Sequence, residues 1–167
     1  GFGITAANAA PVPTTSTQSI VCQTDDSVSA PYPEFTWAAE VSATAQTNGT
    51  DTLVTLVTND LNGIVPVNVP KGADTEATYT GTVNGTAATF KGYGKPVITR
   101  DQPVSVPEVS YRLEGVSAPT LDLVLSGMTW KMNAMGGTFN TVCPKGPGSS
   151  ALNWAVGQVA VETVSSL

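Results

Sequence analysis

The side chains best suited to chemistry in this chain are two phenols. Tyr79 and Tyr93 lie within KGADTEATYTGTVNGTAATFKGYGKPVITR, residues 71–100. An exposed phenol can give up a hydrogen atom and leave a resonance-stabilised radical. The GYG around Tyr93 leaves its ring little local cover. The same stretch holds Lys71, Lys91, Lys95 and Arg100, four of the seven cationic side chains in the protein, and none precedes Lys71. From Tyr79 through Arg100 there is no acidic side chain, whereas the whole chain carries a net charge of −6. A locally positive segment draws anionic oxidants, radicals or an anionic cofactor such as a haem propionate. The residues match no catalytic motif, so the chemistry they suggest is one-electron donation to small-molecule radicals or oxidants.

Other chemistries are poorly served. The sequence has no histidine, so Ser-His-Asp and Cys-His arrangements are impossible and no hydrolytic site is expected. No carboxylate cluster and no calcium-loop pattern stands out, and no metal site is expected. The negative net charge argues against nucleic acid as a partner, because phosphate binding needs a cationic footprint. No apolar run reaches the length of a membrane span. Met128, Met132 and Met135 read as packing residues, since thioethers fill irregular core gaps.

The elements that must position Tyr79 and Tyr93 are strands. The 167 residues are rich in Thr, Ser, Val and Gly, and β-branched residues suit a pleated surface. FTWAAEVSATA (35–45) alternates Phe35, Trp37, Ala39, Val41, Ala43 and Ala45 against polar neighbours, the period of a half-buried strand. SIVCQT (19–24), TLVTLVT (52–58), GIVPVNV (63–69), SYRLEG after Val109, TLDLVLSG, GMTWKMNAM, GTFNTVC and the segment from Trp154 complete the set. Pro66 makes 63–69 an edge strand. A phase change at Gly157 predicts a β-bulge in the last strand, with an amphipathic helix as the alternative. Asn48-Gly49 and Asn84-Gly85 are hairpin signals. TYTGTV could pair with TAATF, but an isolated hairpin is marginal in water, so residues 70–100 are expected as a long flexible loop.

Two cysteines, Cys22 and Cys143, lie 121 residues apart. In an exported protein one structural disulfide is the default. GFGITAANA ends in the small-x-small pattern of a signal-peptidase site, and APVPTTSTQ reads like the start of a mature secreted protein. Residues 1–18 are therefore expected to be a signal-peptide remnant and a disordered tail. Residues 19–167 would then form a single domain, an all-β, immunoglobulin-like antiparallel β-sandwich with the long loop at about 70–100.

The exported start APVPTTSTQSIVCQTDDSV, the small β domain and the basic, tyrosine-bearing segment 71–100 together resemble the RoxP family, abundantly secreted antioxidant proteins of skin propionibacteria. The resemblance extends over the whole chain after the signal remnant. It implies an immunoglobulin-like domain, extracellular release and radical scavenging, with Tyr79 and Tyr93 as donors. It also implies weak binding of haem or another anionic tetrapyrrole in a groove made by Lys71, Lys91, Lys95 and Arg100. The protein would act as a monomer. The competing expectation is a secreted adhesion or ligand-binding module without redox chemistry, which rests on fold analogy.

Overall fold

The computed structural model describes residues 12–26, 33–146 and 151–167. The expected leader remnant and its cleavage point lie outside the described residues. Among them are nine strands and no helix long and apolar enough to cross a membrane. They are β1 (Thr14–Asp26), β2 (Phe35–Thr47), β3 (Thr52–Thr58), β4 (Asp74–Val83), β5 (Thr86–Gly94), β6 (Val109–Leu113), β7 (Thr120–Ala134), β8 (Gly137–Cys143) and β9 (Trp154–Thr163). The fold is all-β, as the composition implies. The strands form one mostly antiparallel sheet in the order β1-β8-β7-β4-β5-β6-β3-β2-β9. Since β1 also pairs with β2, and β9 with β7, the sheet closes into a ring-like arrangement. β9 runs parallel to β2 and antiparallel to β7.

The alternation read in residues 35–45 holds: Trp37, Ala39, Val41, Ala43 and Ala45 are buried. The inward faces of β7 contribute Leu121, Leu123, Leu125, Met128, Trp130 and Met132. The step from Leu125 to Met128 breaks period two, because Ser126 is an extra residue opposite the Thr80–Gly81 link. This bulge joins what the sequence suggested as two segments, TLDLVLSG and GMTWKMNAM, into one strand of 15 residues. The expected bulge near Gly157 is present. The register shifts between Leu123 and Val124, and Gly157 takes a φ of +114° that disfavours any side chain. β9 is a strand, and the helical alternative for it is excluded.

Three expectations fail. Residues 14–18 are not a disordered tail; they open β1, which pairs with β2 from Thr14 to Cys22 and with β8 from Gln23 to Asp26. Residues 63–69 are not an edge strand. Residues 61–69 are irregular, joined to residues 98–104 by isolated pairings of Leu61 with Val104 and Val69 with Ile98. Pro66 lacks the N–H that a ladder needs, and at Gly63 the Asp101 carbonyl passes where a side chain would stand. Third, residues 70–100 are not a long flexible loop. Asp74–Val83 and Thr86–Gly94 are regular strands. The β4–β5 hairpin turns on Asn84-Gly85, both at positive φ. It is not isolated, because β4 also pairs with β7 along its whole length, and three or more strands supply the stability a lone hairpin lacks.

Two of the three core tryptophans have opposite hydrogen-bond status. Trp37 donates its indole N–H to the Asp60 carbonyl at 3.0 Å. Trp130 is fully buried and its indole N–H has no acceptor among the described residues. Replacement by Phe removes a bond in the first case and an unsatisfied donor in the second. A buried hydrogen bond contributes about 1 kcal/mol, and leaving a donor unpaired costs a similar amount. Trp37→Phe should therefore destabilise the fold by about 2 kcal/mol more than Trp130→Phe, measured by denaturant unfolding. The reverse order would contradict this reading of the two indoles.

Candidate functional site

Tyr79 and Tyr93 end in opposite environments. On β4 the inward phase runs through Thr75, Ala77 and Tyr79, all buried, so the Tyr79 ring sits in the core at 1% exposure. The expectation that Tyr79 is exposed is overturned, because β4 is an interior strand between β5 and β7. Its hydroxyl is 2.7 Å from the Thr58 hydroxyl. Burial pushes the phenol above its ordinary range, and the Thr58 bond opposes that only in part. A phenol that loses an electron must shed its proton, and a threonine hydroxyl is a poor base. Tyr79 is thus shielded from solutes and short of a proton acceptor.

Tyr93 lies on the opposite face. It is 71% exposed, the ring standing out from β5 between Gly92 and Gly94. Its cross-strand partner is Glu76 on β4, which in turn faces Lys131 on β7. The strand beneath it is held close to β6: a Cβ on Gly92 would fall 1.7 Å from the Glu108 carbonyl oxygen. Only glycine allows that approach. The ring is therefore displayed on a fixed strand, not on a mobile loop.

The four cations line none of the three surface grooves of about 720, 380 and 260 Å³. Lys91 is 3.7 Å from the Glu76 carboxylate and Lys95 is 4.0 Å from that of Asp74. Such exposed pairs contribute at most about 1 kcal/mol, but they cancel much of the positive field expected between Tyr79 and Arg100. The sequence count missed this because Asp74 and Glu76 stand just before Tyr79 and return opposite the cations only through the hairpin. Arg100 donates its Nε to the Pro66 carbonyl at 3.0 Å, and its amide donates to Asn68 Oδ1. Lys71 is exposed in the turn after Val69. Three surface grooves are lined elsewhere. One of about 720 Å³ lies over Thr17, Ser19, Ala38, Glu40 and Asn59. One of about 380 Å³ lies beside Phe35, Ile64 and Asp101, and one of about 260 Å³ between Thr78, Thr129 and Val142.

These residues do not fit an enclosed haem. The chain has no histidine. Tyr79, Met128 and Met132 are buried in the packed core, and Tyr93 and Met135 stand on the open surface. Protein-held haem needs an axial ligand inside a pocket that controls access, and no such wall surrounds either exposed side chain. Among the described residues no cluster of Cys, Asp and Glu is arranged to hold a metal ion.

Cys22 and Cys143 are bonded, as expected, and both are buried. Met135 departs from expectation. Met128 and Met132 do pack in the core, but Met135 is 78% exposed. It follows Ala134 at the end of β7, and the alternation of Met128, Trp130 and Met132, carried one step further, sets residue 135 on the outer face with Lys131 and Asn133. Comparison with protein-family models, curated proteins and solved structures gave no match.

Proposed function

We propose that this protein is a secreted radical scavenger whose one-electron donor is Tyr93. The observation that carries the reading is the 71% exposure of the Tyr93 ring on a strand fixed by glycine-mediated contact. In the step, the phenol O–H bond breaks and its hydrogen atom passes to the radical, which becomes a closed-shell X–H species. Tyr93 is left as the phenoxyl radical. With a radical-cation oxidant the electron goes to the oxidant and the proton to solvent. Without an added reductant the reaction is stoichiometric. Lys91 and Lys95 beside Tyr93 favour approach of anionic radicals, weakened by their acidic partners. No step requires a bound tetrapyrrole.

Export fits the disulfide, since disulfides persist in oxidising compartments. The finer architecture we read as an immunoglobulin-like sandwich. Two features support a division into layers. β1 changes partner from β2 to β8 midway, and β5 and β6 share only the Lys91–Ser110 pairing. The chain would cross from one layer to the other at those two places. The resemblance to the secreted antioxidant family of propionibacteria points the same way. A second reading, a ligand-binding or adhesion module without redox chemistry, has in its favour the open groove over β1 and β2.

The test is quenching of an organic radical-cation dye, followed by absorbance, with wild type, Tyr93→Phe and Tyr79→Phe at equal concentration and shown to be folded. Tyr93→Phe should lose most of the fast quenching and Tyr79→Phe should keep it. Full activity in Tyr93→Phe would sink the scavenging reading and leave the binding module in front.

A further inference from the structure

We infer that Met135 is a second reactive centre, which reduces peroxides by two electrons where Tyr93 quenches radicals by one. The β7–β8 hairpin closes on Met135 and Gly136, with φ of +54° and +76°. The β4–β5 hairpin closes with nearly the same angles, +49° and +79°, on Asn84 and Gly85. That geometry prefers Asn, Asp or Gly at its first position. Asn84 obeys the rule and uses its side chain, which accepts the Asp122 amide at 2.7 Å. Met135 breaks the rule and recovers nothing by packing, being 78% exposed. A residue that offends both local backbone preference and burial is where a functional role is to be sought. The two methionines that share its strand are the internal contrast: Met128 is 3% exposed and Met132 is fully buried.

The position adds to the argument. Asn133, two residues before Met135, pairs with Asp74, and Lys131 pairs with Glu76, the partner of Tyr93. Met135 thus sits at the end of the sheet that carries Tyr93, two strand spacings (about 10 Å) across from it and four residues (about 13 Å) further along the strand direction. The Thr138 hydroxyl donates to Asn133 Oδ1 at 2.9 Å and ties the two arms below the tip. The thioether is held out in solvent on a short hairpin.

The chemistry balances without a further oxidant. The sulfur attacks one peroxide oxygen, the O–O bond breaks, and an S–O bond forms. Hydrogen peroxide leaves as water, or an organic peroxide as its alcohol, and the sulfur is oxidised by two electrons. The sulfoxide is returned by a thiol-dependent sulfoxide reductase, which takes the oxygen off as water while two thiols become a disulfide. This activity does not depend on Tyr93.

The experiment treats folded protein with hydrogen peroxide and follows oxygen addition by peptide mapping. Wild type, Met135→Leu and Met135→Asn are compared, Asn being the residue that the turn itself favours. In wild type, Met135 should oxidise at the rate it shows in the denatured chain. Met128 and Met132, which must await opening of the core, should be at least about tenfold slower. Both variants should lose the first equivalent of peroxide consumed and keep wild-type dye quenching, which separates this centre from Tyr93. Equal oxidation of the three methionines, or unchanged peroxide consumption in the two variants, would overturn the inference.

Discussion

Protein carrying Cys22→Ala and Cys143→Ala is expected to be about 2–5 kcal/mol less stable than wild type, the usual cost of removing a native disulfide from a small domain. The bridge spans 121 residues, and closing so long a loop in the unfolded chain is worth roughly 5 kcal/mol in the chain-entropy model. Its place in the fold argues for the upper part of the range. Cys22 is the last residue of β1 to pair with β2, opposite Phe35, and Gln23 is the first to pair with β8, opposite Val142. The bond clamps β1 where it changes partner. Without it, Gln23 to Asp26 are held to β8 by a short ladder and by the buried Thr24–Thr141 hydroxyl pair at 2.7 Å. Alanine is the right replacement, because serine would add unpaired hydroxyls to a buried site. For a chain of this size the loss corresponds to a fall in Tm of roughly 10 °C. A change within about 0.5 kcal/mol, the range of ordinary surface substitutions, would mean that the ladder alone fixes the crossing.

Gly92→Ala is expected to be the most damaging glycine-to-alanine change among the described residues. The added carbon would fall 1.7 Å from the Glu108 carbonyl oxygen and 3.1 Å from Val109 Cα, both backbone atoms that no rotamer change can move aside. β5 and β6 must separate, and they are joined by little else: the Lys91–Ser110 pairing and the edge contact of Phe90 with Tyr111 at 5.8 Å. Overpacking typically costs 1–3 kcal/mol and can exceed that, and a clash of backbone with backbone belongs at the top, about 3 kcal/mol or more. Gly127→Ala is the matched control. Its methyl would meet the Thr80 hydroxyl at 3.4 Å and the Cys143 carbonyl at 3.5 Å, ordinary contact distances. Thermal unfolding should show a fall in Tm of roughly 6–12 °C for Gly92→Ala and little change for Gly127→Ala. Equal effects would mean that β5 and β6 part without cost.

Most strands could be read from the sequence because their inward residues are large and alternate cleanly, as in Trp37 to Ala45 and Leu121 to Leu125. Residues 74–94 could not. Their inward positions are Thr75, Ala77, Gly92 and Gly94 as well as Tyr79 and Phe90, so the hydrophobic period is faint, and many outward positions (Thr78, Thr80, Thr82, Thr89) are threonines that suit loops equally well. The stabilising partner, β7, comes more than thirty residues later in the chain, and local pattern cannot supply a long-range pairing. The misreading carried into the site. A tyrosine in a loop is expected to be exposed, but in a strand its parity decides, and Tyr79 and Tyr93 fall on opposite faces. Asn84-Gly85 at the centre of the segment was the usable signal. Counting outward from that turn pairs Glu76 with Tyr93, diagonal to Lys91, and brings Asp74 level with Lys95.

In the proposed reaction Tyr93, and not Tyr79, gives up the electron. The most direct measurement is electron paramagnetic resonance on samples frozen soon after mixing with a one-electron oxidant. A phenoxyl signal is expected in wild type and in Tyr79→Phe, and its loss is expected in Tyr93→Phe. A signal that persists in Tyr93→Phe and disappears in Tyr79→Phe would place the donor in the core and contradict the account.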